Sequence, residues 1–84
     1  MTTPIMTLDT LPARTRAEIV SIDWDRLAPE EAKRLRALGI DAGARVAIAH
    51  RGVFAGKDPI AVIIGRMTVA LRRVHAQAMT VRQV

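Results

Sequence analysis

Two histidines, one serine, no cysteine and a surplus of arginine are the chemical resources of this 84-residue chain. His50 and His75 fall in different segments with no HxxxH or HxxE spacing between them, so a metal site built from both with Asp58 would depend wholly on the fold. A surface or rim imidazole is the preferred reading of each. The absence of cysteine removes thiolate metal sites and disulfides alike. Glu30 and Glu31 are adjacent carboxylates, but they stand where a helix N-terminus wants negative charge, which explains them without acid/base chemistry. Ser21 sits inside an apolar run with nothing beside it to activate a hydroxyl. Gly52, Gly56 and Gly65 do not make a phosphate loop, because no glycine-rich turn runs into a helix and no GK[ST] follows. Arg72, Arg73 and Arg82 are candidates for a basic patch on the last hairpin, with a solvated polar face as the simpler account. The residues therefore predict a protein that is not an enzyme and has no metal and no cofactor.

Composition narrows the remaining classes. Thirteen basic against eight acidic residues give +5, and eleven of the thirteen are arginines dispersed from Arg14 to Arg82. Such a surface suits nucleic acid, an anionic membrane face or an acidic protein partner, and equally serves to keep a small domain in solution. Trp24 and Phe54 are the only aromatic residues, so stacking platforms for bases are missing. A chain of this size buries about 60–65 % of its unfolded surface, which leaves little room for a deep cavity. The first residues lack a basic n-region and an apolar h-region, and the longest apolar run, Ile60 to Ile64, is far short of a bilayer span. A soluble, cytoplasmic protein is expected.

Periodicity and punctuation predict the elements that would hold these residues. Residues 1–7 read as a flexible lead-in and 8–84 as one domain. Leu8 to Leu11 make a short turn placing two leucines on one side before Pro12. Ala17 to Asp23 is a first strand, with Val20 and Ile22 on one face and Ile19 and Ser21 on the other. Trp24 then lies in the connection, as a partly exposed lid or as an anchor for a partner, the lid being preferred. Pro29 at the first helical position, acids in the first turn and Lys33, Arg34 and Arg36 later predict a helix over 29–38, closed by Gly39 in a left-handed cap with Ile40 folding back on Leu35. Asp41 to Ala44 is a turn needing positive φ at Gly43. Arg45 to His50 alternates, with Val46, Ile48 and His50 on one face and Arg45, Ala47 and Ala49 on the other, one of the two being core. Arg51 to Pro59 is a mobile hairpin connection with Phe54 at its tip. Ile60 to Ile64 is apolar on both faces and expected to be covered on both, Gly65 and Arg66 turn the chain, and Met67, Val69 and Leu71 point one way. A helical turn at Arg73 to Gln77 and a strand from Met79 to Arg82 close the chain. Together these predict a mainly β fold: a small, partly open, SH3-like barrel of about five short strands with one α-helix inserted after the first.

The succession Leu8-Asp9-Thr10-Leu11, an Ile-rich strand, Arg34-Leu35-Arg36-Ala37-Leu38-Gly39-Ile40, Gly43 and Val46, Gly56-Lys57-Asp58-Pro59-Ile60, Gly65, Ala70-Leu71-Arg72, Ala76 and Val81 resembles the FeoA family of small cytoplasmic proteins of bacterial ferrous iron transport. The likeness runs over nearly the whole chain from Leu8. Three departures stand out. Ala42 replaces a proline often found before the glycine, Arg14 to Ala17 lack a glycine often found near the start of the first strand, and Lys57 lengthens a loop that is usually tighter. The resemblance implies an SH3-like barrel that assists or regulates FeoB, the membrane ferrous iron transporter with a cytosolic GTPase domain, and that is itself neither transporter nor enzyme. It makes Leu35, Leu38, Gly39, Gly43, Pro59, Gly65 and Leu71 fold determinants. Trp24, Arg51, Phe54, Lys57, Arg72 and Arg73 are the candidate contacts of a groove rimmed by the 51–59 loop and the central helix. It places the protein in the cytoplasm, recruited to the inner face of the membrane. The rival readings are a nucleic-acid- or regulator-associated domain, since related barrels resemble the C-terminal domains of metal-dependent repressors, and a barrel module for another protein partner. A carrier of ferrous iron lacks ligands beyond His50 and His75.

Overall fold

The computed structural model describes residues 5–51 and 58–84, apart from the side chains of His50 and Arg51. Six strands form one antiparallel sheet: β1 (Ile5–Thr7), β2 (Arg16–Ile22), β3 (Arg45–Arg51), β4 (Ile60–Ile64), β5 (Met67–Leu71) and β6 (Met79–Gln83), in the order β1-β6-β2-β3-β4-β5. The sheet does not close on itself, so β1 and β5 are its two edges. Helix α1 (Pro29–Ala37) lies between β2 and β3, and the short α2 (Arg73–Ala76) between β5 and β6. The architecture is the expected mainly β, partly open one, with one strand more than expected and the helix after the second strand. That additional strand is β1. Ile5–Thr7 pairs with β6 through Ile5 opposite Arg82 and Thr7 opposite Thr80, and Met6 packs on the core, so residues 5–7 of the expected lead-in belong to the sheet. Free strand-forming groups on β6 offer three residues of pairing that a short, unpatterned segment does not advertise.

The core is aliphatic. Leu8, Leu11, Ile19, Leu35, Ile40, Ile48, Ile60, Val62, Leu71, Met79 and Val81 are fully buried, which for residues of this size contributes about 1.5–3 kcal/mol each relative to exposure. The two leucines of the Leu8–Thr10 turn and its cap are both buried in this core. Helix α1 begins at Pro29 without a side-chain cap and ends as a Schellman motif. The Ile40 N–H donates to the Leu35 carbonyl at 3.0 Å and the Gly39 N–H to that of Arg36 at 3.0 Å, while Gly39 holds φ +92°, a conformation that costs a side-chain-bearing residue about 1–2 kcal/mol. Gly43, at φ +90°, makes the next turn and sets its own N–H on the Ile19 carbonyl at 2.8 Å, tying helix exit to β2.

Two register shifts revise the expected faces. The β2–β6 pairing slips between Ile19 and Ser21, so Ala17 and Ile19 point inward, Val20 is 42 % exposed and Ile22 is only half-buried against the core. The expected pairing of Val20 with Ile22 on one face and Ile19 with Ser21 on the other does not hold: a bulge between Ile19 and Ser21 adds a residue and changes the parity beyond it. The β3–β4 pairing slips between Ile48 and His50. Val46 and Ile48 are buried as expected, and the side chain of His50 lies outside the described residues. Strand β4 is not covered on both faces, because Ile63 remains 37 % exposed. The β4–β5 hairpin has the predicted two-residue loop, with Ile64 opposite Met67 and Gly65 at φ +60°, the sign a II′ turn needs at its first position.

Candidate partner-binding surface

The candidate contacts separate into three groups. Phe54 and Lys57 lie outside the described residues, as does the Arg51 side chain at the end of β3. Trp24 opens a 3-10 turn, Trp24–Arg26; its indole is half-buried against the core, and the Arg36 guanidinium stacks 4.2 Å from the ring centroid. The indole is thus partly exposed, with a cation laid over one face. Arg72 and Arg73 are exposed at the start of α2.

Helix α2 has no cap of its own. Arg72 occupies the N-cap position without a side-chain hydrogen bond, and the acceptor comes from fifteen residues upstream: the Asp58 Oδ1 takes the Arg73 N–H at 2.6 Å. A carboxylate there satisfies one of the orphan donors of the first turn. Asp58, Pro59 and Arg72 line an open cavity of about 360 Å³. At the other side of α2, the His75 Nδ1 lies 3.6 Å from the Glu31 Oε2 of α1, too far for a hydrogen bond, while the second Glu31 oxygen accepts from the Arg34 Nε. Helix α2 therefore meets Asp58 through the Arg73 N–H and approaches Glu31 of α1 through His75. Arg26, whose Nη1 donates to the Gln77 carbonyl at 3.3 Å, fastens the Trp24 turn to the same region. Sequence reasoning missed Asp58 as a cap, Glu31 as the neighbour of His75 and Arg36 as the cover of Trp24. No local signal marks these pairs, since the partners in two of them are fifteen and forty-four residues apart.

Arg82 does not join Arg72 and Arg73 in one patch. Its Nη2 and Nε donate to the Glu18 Oε1 of the neighbouring strand at 2.7 and 3.2 Å. That hydrogen bond, then the charge of Arg82 and more weakly that of Arg45, hold the Glu18 carboxyl below its ordinary 4.5 against a small opposing effect of burial. Among the described residues, no three His, Cys, Asp or Glu side chains gather as a metal cage would require, and no helix is long and apolar enough to cross a membrane. Among the described residues the arrangement is one of exposed cations and half-buried apolar groups around α1 and α2.

A family model, the FeoA domain, matches residues 6–83. Among solved structures, the FeoA protein of Chlorobium tepidum is 32 % identical with a TM-score of 0.81, over 94 % of this chain and 70 % of that one. The Stenotrophomonas maltophilia FeoA, solved with zinc and described as a prokaryotic SH3 domain protein, is 35 % identical with a TM-score of 0.72, over 90 % of this chain and 88 % of that one. A manganese-dependent transcriptional repressor is 25 % identical with a TM-score of 0.80; the match takes in the whole of this chain and 44 % of the repressor. No curated protein matches the chain. A match over all but a few residues shows that the chain belongs to the FeoA family, with its SH3-like fold and its association with ferrous iron transport.

Proposed function

We propose that this FeoA-family chain is a non-catalytic accessory protein that acts in the cytoplasm by binding the cytosolic, GTPase-containing part of the FeoB transporter at the inner face of the membrane. The observation that carries this reading is the family match over residues 6–83, and the geometry supports it. The chain presents cations on small helices around a half-buried indole, as a rim that meets an acidic partner would. Trp24, Arg72 and Arg73 are the contacts to expect from the described residues, together with Arg51 at the end of β3 and with Phe54 and Lys57, which lie outside the described residues. The repressor likeness supports a second reading, a domain serving a metal-responsive regulator, because the fold agreement there extends over the whole chain. Against contact with nucleic acid stand the two aromatic residues and the dispersed charge.

A shift titration of the isotope-labelled chain with the cytosolic domain of the transporter, with and without guanine nucleotide and with duplex DNA in parallel, separates the two. Saturating shifts confined to α1, α2 and the 51–59 loop, absent with DNA, are the expected result. A diffuse, salt-sensitive response to DNA with none to the GTPase domain would overturn the first reading.

A further inference from the structure

The two edges of the sheet differ in how they are protected. The β1 edge is three residues long, and shortness is itself a guard against strand addition. The β5 edge is five residues long, Met67-Thr68-Val69-Ala70-Leu71, with neither a charge nor a proline among them. It pairs residue for residue with β4 without a bulge, and among the described residues no other strand pairs with it. None of the common devices that blunt an edge is present within it.

The hairpin fixes which backbone groups face outward. A two-residue loop makes Ile64 and Met67 a hydrogen-bonded closing pair, so Met67, Val69 and Leu71 turn their N–H and C=O groups toward β4 and those of Thr68 and Ala70 face away. Thr68 and Ala70 are exposed, and Met67 is 44 % exposed. Arg66 and Arg72 bracket the strand, both exposed, and neither has a carboxylate partner among the described residues. The five residues of β5 between them set their backbones on the order of 20 Å apart.

We propose that the β5 edge receives an extended segment of a partner protein by strand addition, and that this segment carries acidic residues six positions apart on either side of a short β-branched centre. Charge decides the occupant. In the fully overlapped antiparallel pairing of two copies, centred on Val69, Arg66 of each copy opposes Arg72 of the other, and like charges meet at both ends. An acid at each end of the incoming strand turns both meetings into attraction. The backbone supplies the hydrogen bonds of the added strand, and the arginines select which strand is added. The inference goes beyond the reading above and does not depend on the transporter being the partner.

The test uses the whole chain and a blocked heptapeptide, Glu-Val-Thr-Val-Thr-Val-Glu. Shifts confined to residues 66–72, slowed amide exchange at Thr68 and Ala70, and cross-strand contacts from the peptide to β5 are expected. Exchanging both glutamates for lysine weakens binding about tenfold. Thr68→Pro abolishes it while leaving the β4–β5 amide pattern in place, because proline is tolerated where an edge N–H faces solvent. A perturbation on the peptide needs no variant to fold: N-methylation of alternate residues abolishes binding for one set of positions and spares it for the other. Binding mapped elsewhere, indifference to the lysine exchange, or equal tolerance of both N-methylated sets overturns the proposal. So does sedimentation showing a dimer of the chain alone that Thr68→Pro dissociates, which assigns the edge to a second copy.

Discussion

Arg14 holds the left-handed conformation at φ +64°, the only non-glycine residue of positive φ among those described, in the stretch where the family often carries a glycine. Its N–H donates to the Ile48 carbonyl at 2.8 Å, so this turn docks on β3 just as the chain enters β2. Arg14→Gly keeps that hydrogen bond and the exposed position while removing the Cβ conflict, worth about 1–2 kcal/mol for an L-residue. Glycine also frees the unfolded chain, which returns about 0.4–1 kcal/mol. The difference leaves the variant more stable by about 0.5–1 kcal/mol, which for a domain of this size raises Tm by about 2–8 °C. Urea unfolding with an unchanged slope and a higher midpoint is the expected reading. Arg14→Asn falls between, since asparagine enters this region more readily than arginine. A lower midpoint for Arg14→Gly would show that the arginine side chain contributes more than its backbone strain costs, and would refute the argument.

Other perturbations probe separate joints. Asp58→Ala removes the distant cap of α2 and lowers stability by about 1 kcal/mol, with faster amide exchange at Arg73, whereas Asp58→Asn retains an acceptor and most of the protection; equal damage from both would assign the effect to charge. Gly39→Ala costs about 1–2 kcal/mol through φ alone, because a Cβ there would meet the Ile64 Cδ1 at 3.8 Å, an ordinary contact; a much larger loss in urea unfolding would mean a clash. Arg82→Ala lets the Glu18 carboxyl rise toward 4.5, followed by carbon NMR of that carboxyl. Because the folded-state value is depressed, its stabilisation is present above the unfolded pKa near 4.5 and lost as pH falls through the folded one. The variant therefore shows a flatter loss of stability below about pH 4.5 than the parent chain.

Local punctuation was the readable part of the fold. Pro29, Gly39, Gly43 and Gly65 each impose a backbone condition that their neighbours cannot hide, and the helix, its Schellman ending, the turn and the last hairpin all lie where those residues predict. Strand β1 was not readable, because its pairing depends on β6, more than seventy residues later, and three residues carry no periodicity of their own. The cap at Asp58 escaped for the same reason. A carboxylate in a loop announces an acceptor, but only the fold says whose N–H it accepts. The surface contacts stayed similarly obscure, since Arg36 over Trp24 and Glu31 beside His75 are meetings of separate elements.

The bulges mark a different limit, and they bear on where function can lie. Alternation assigns faces only while the ladder keeps step, and β2 reads Ile19-Val20-Ser21-Ile22, with apolar residues at both parities, so the sequence offers no sign that the parity changes. Val20, next to the buried Ile19, lies outside with Ile5 and Ile63, and the shift turns Ile22 rather than Ser21 toward the core. Such displaced apolar groups are singly scattered and need no explanation by themselves. Among the described residues the buried large aliphatics gather in one core cluster. Open cavities lie, among the same residues, beside Arg16 and Arg45 and beside Arg72. A protein built this way recognises its target with edges, helix ends and arginines, and its selectivity must come from which charges and which backbone groups it leaves unpaired.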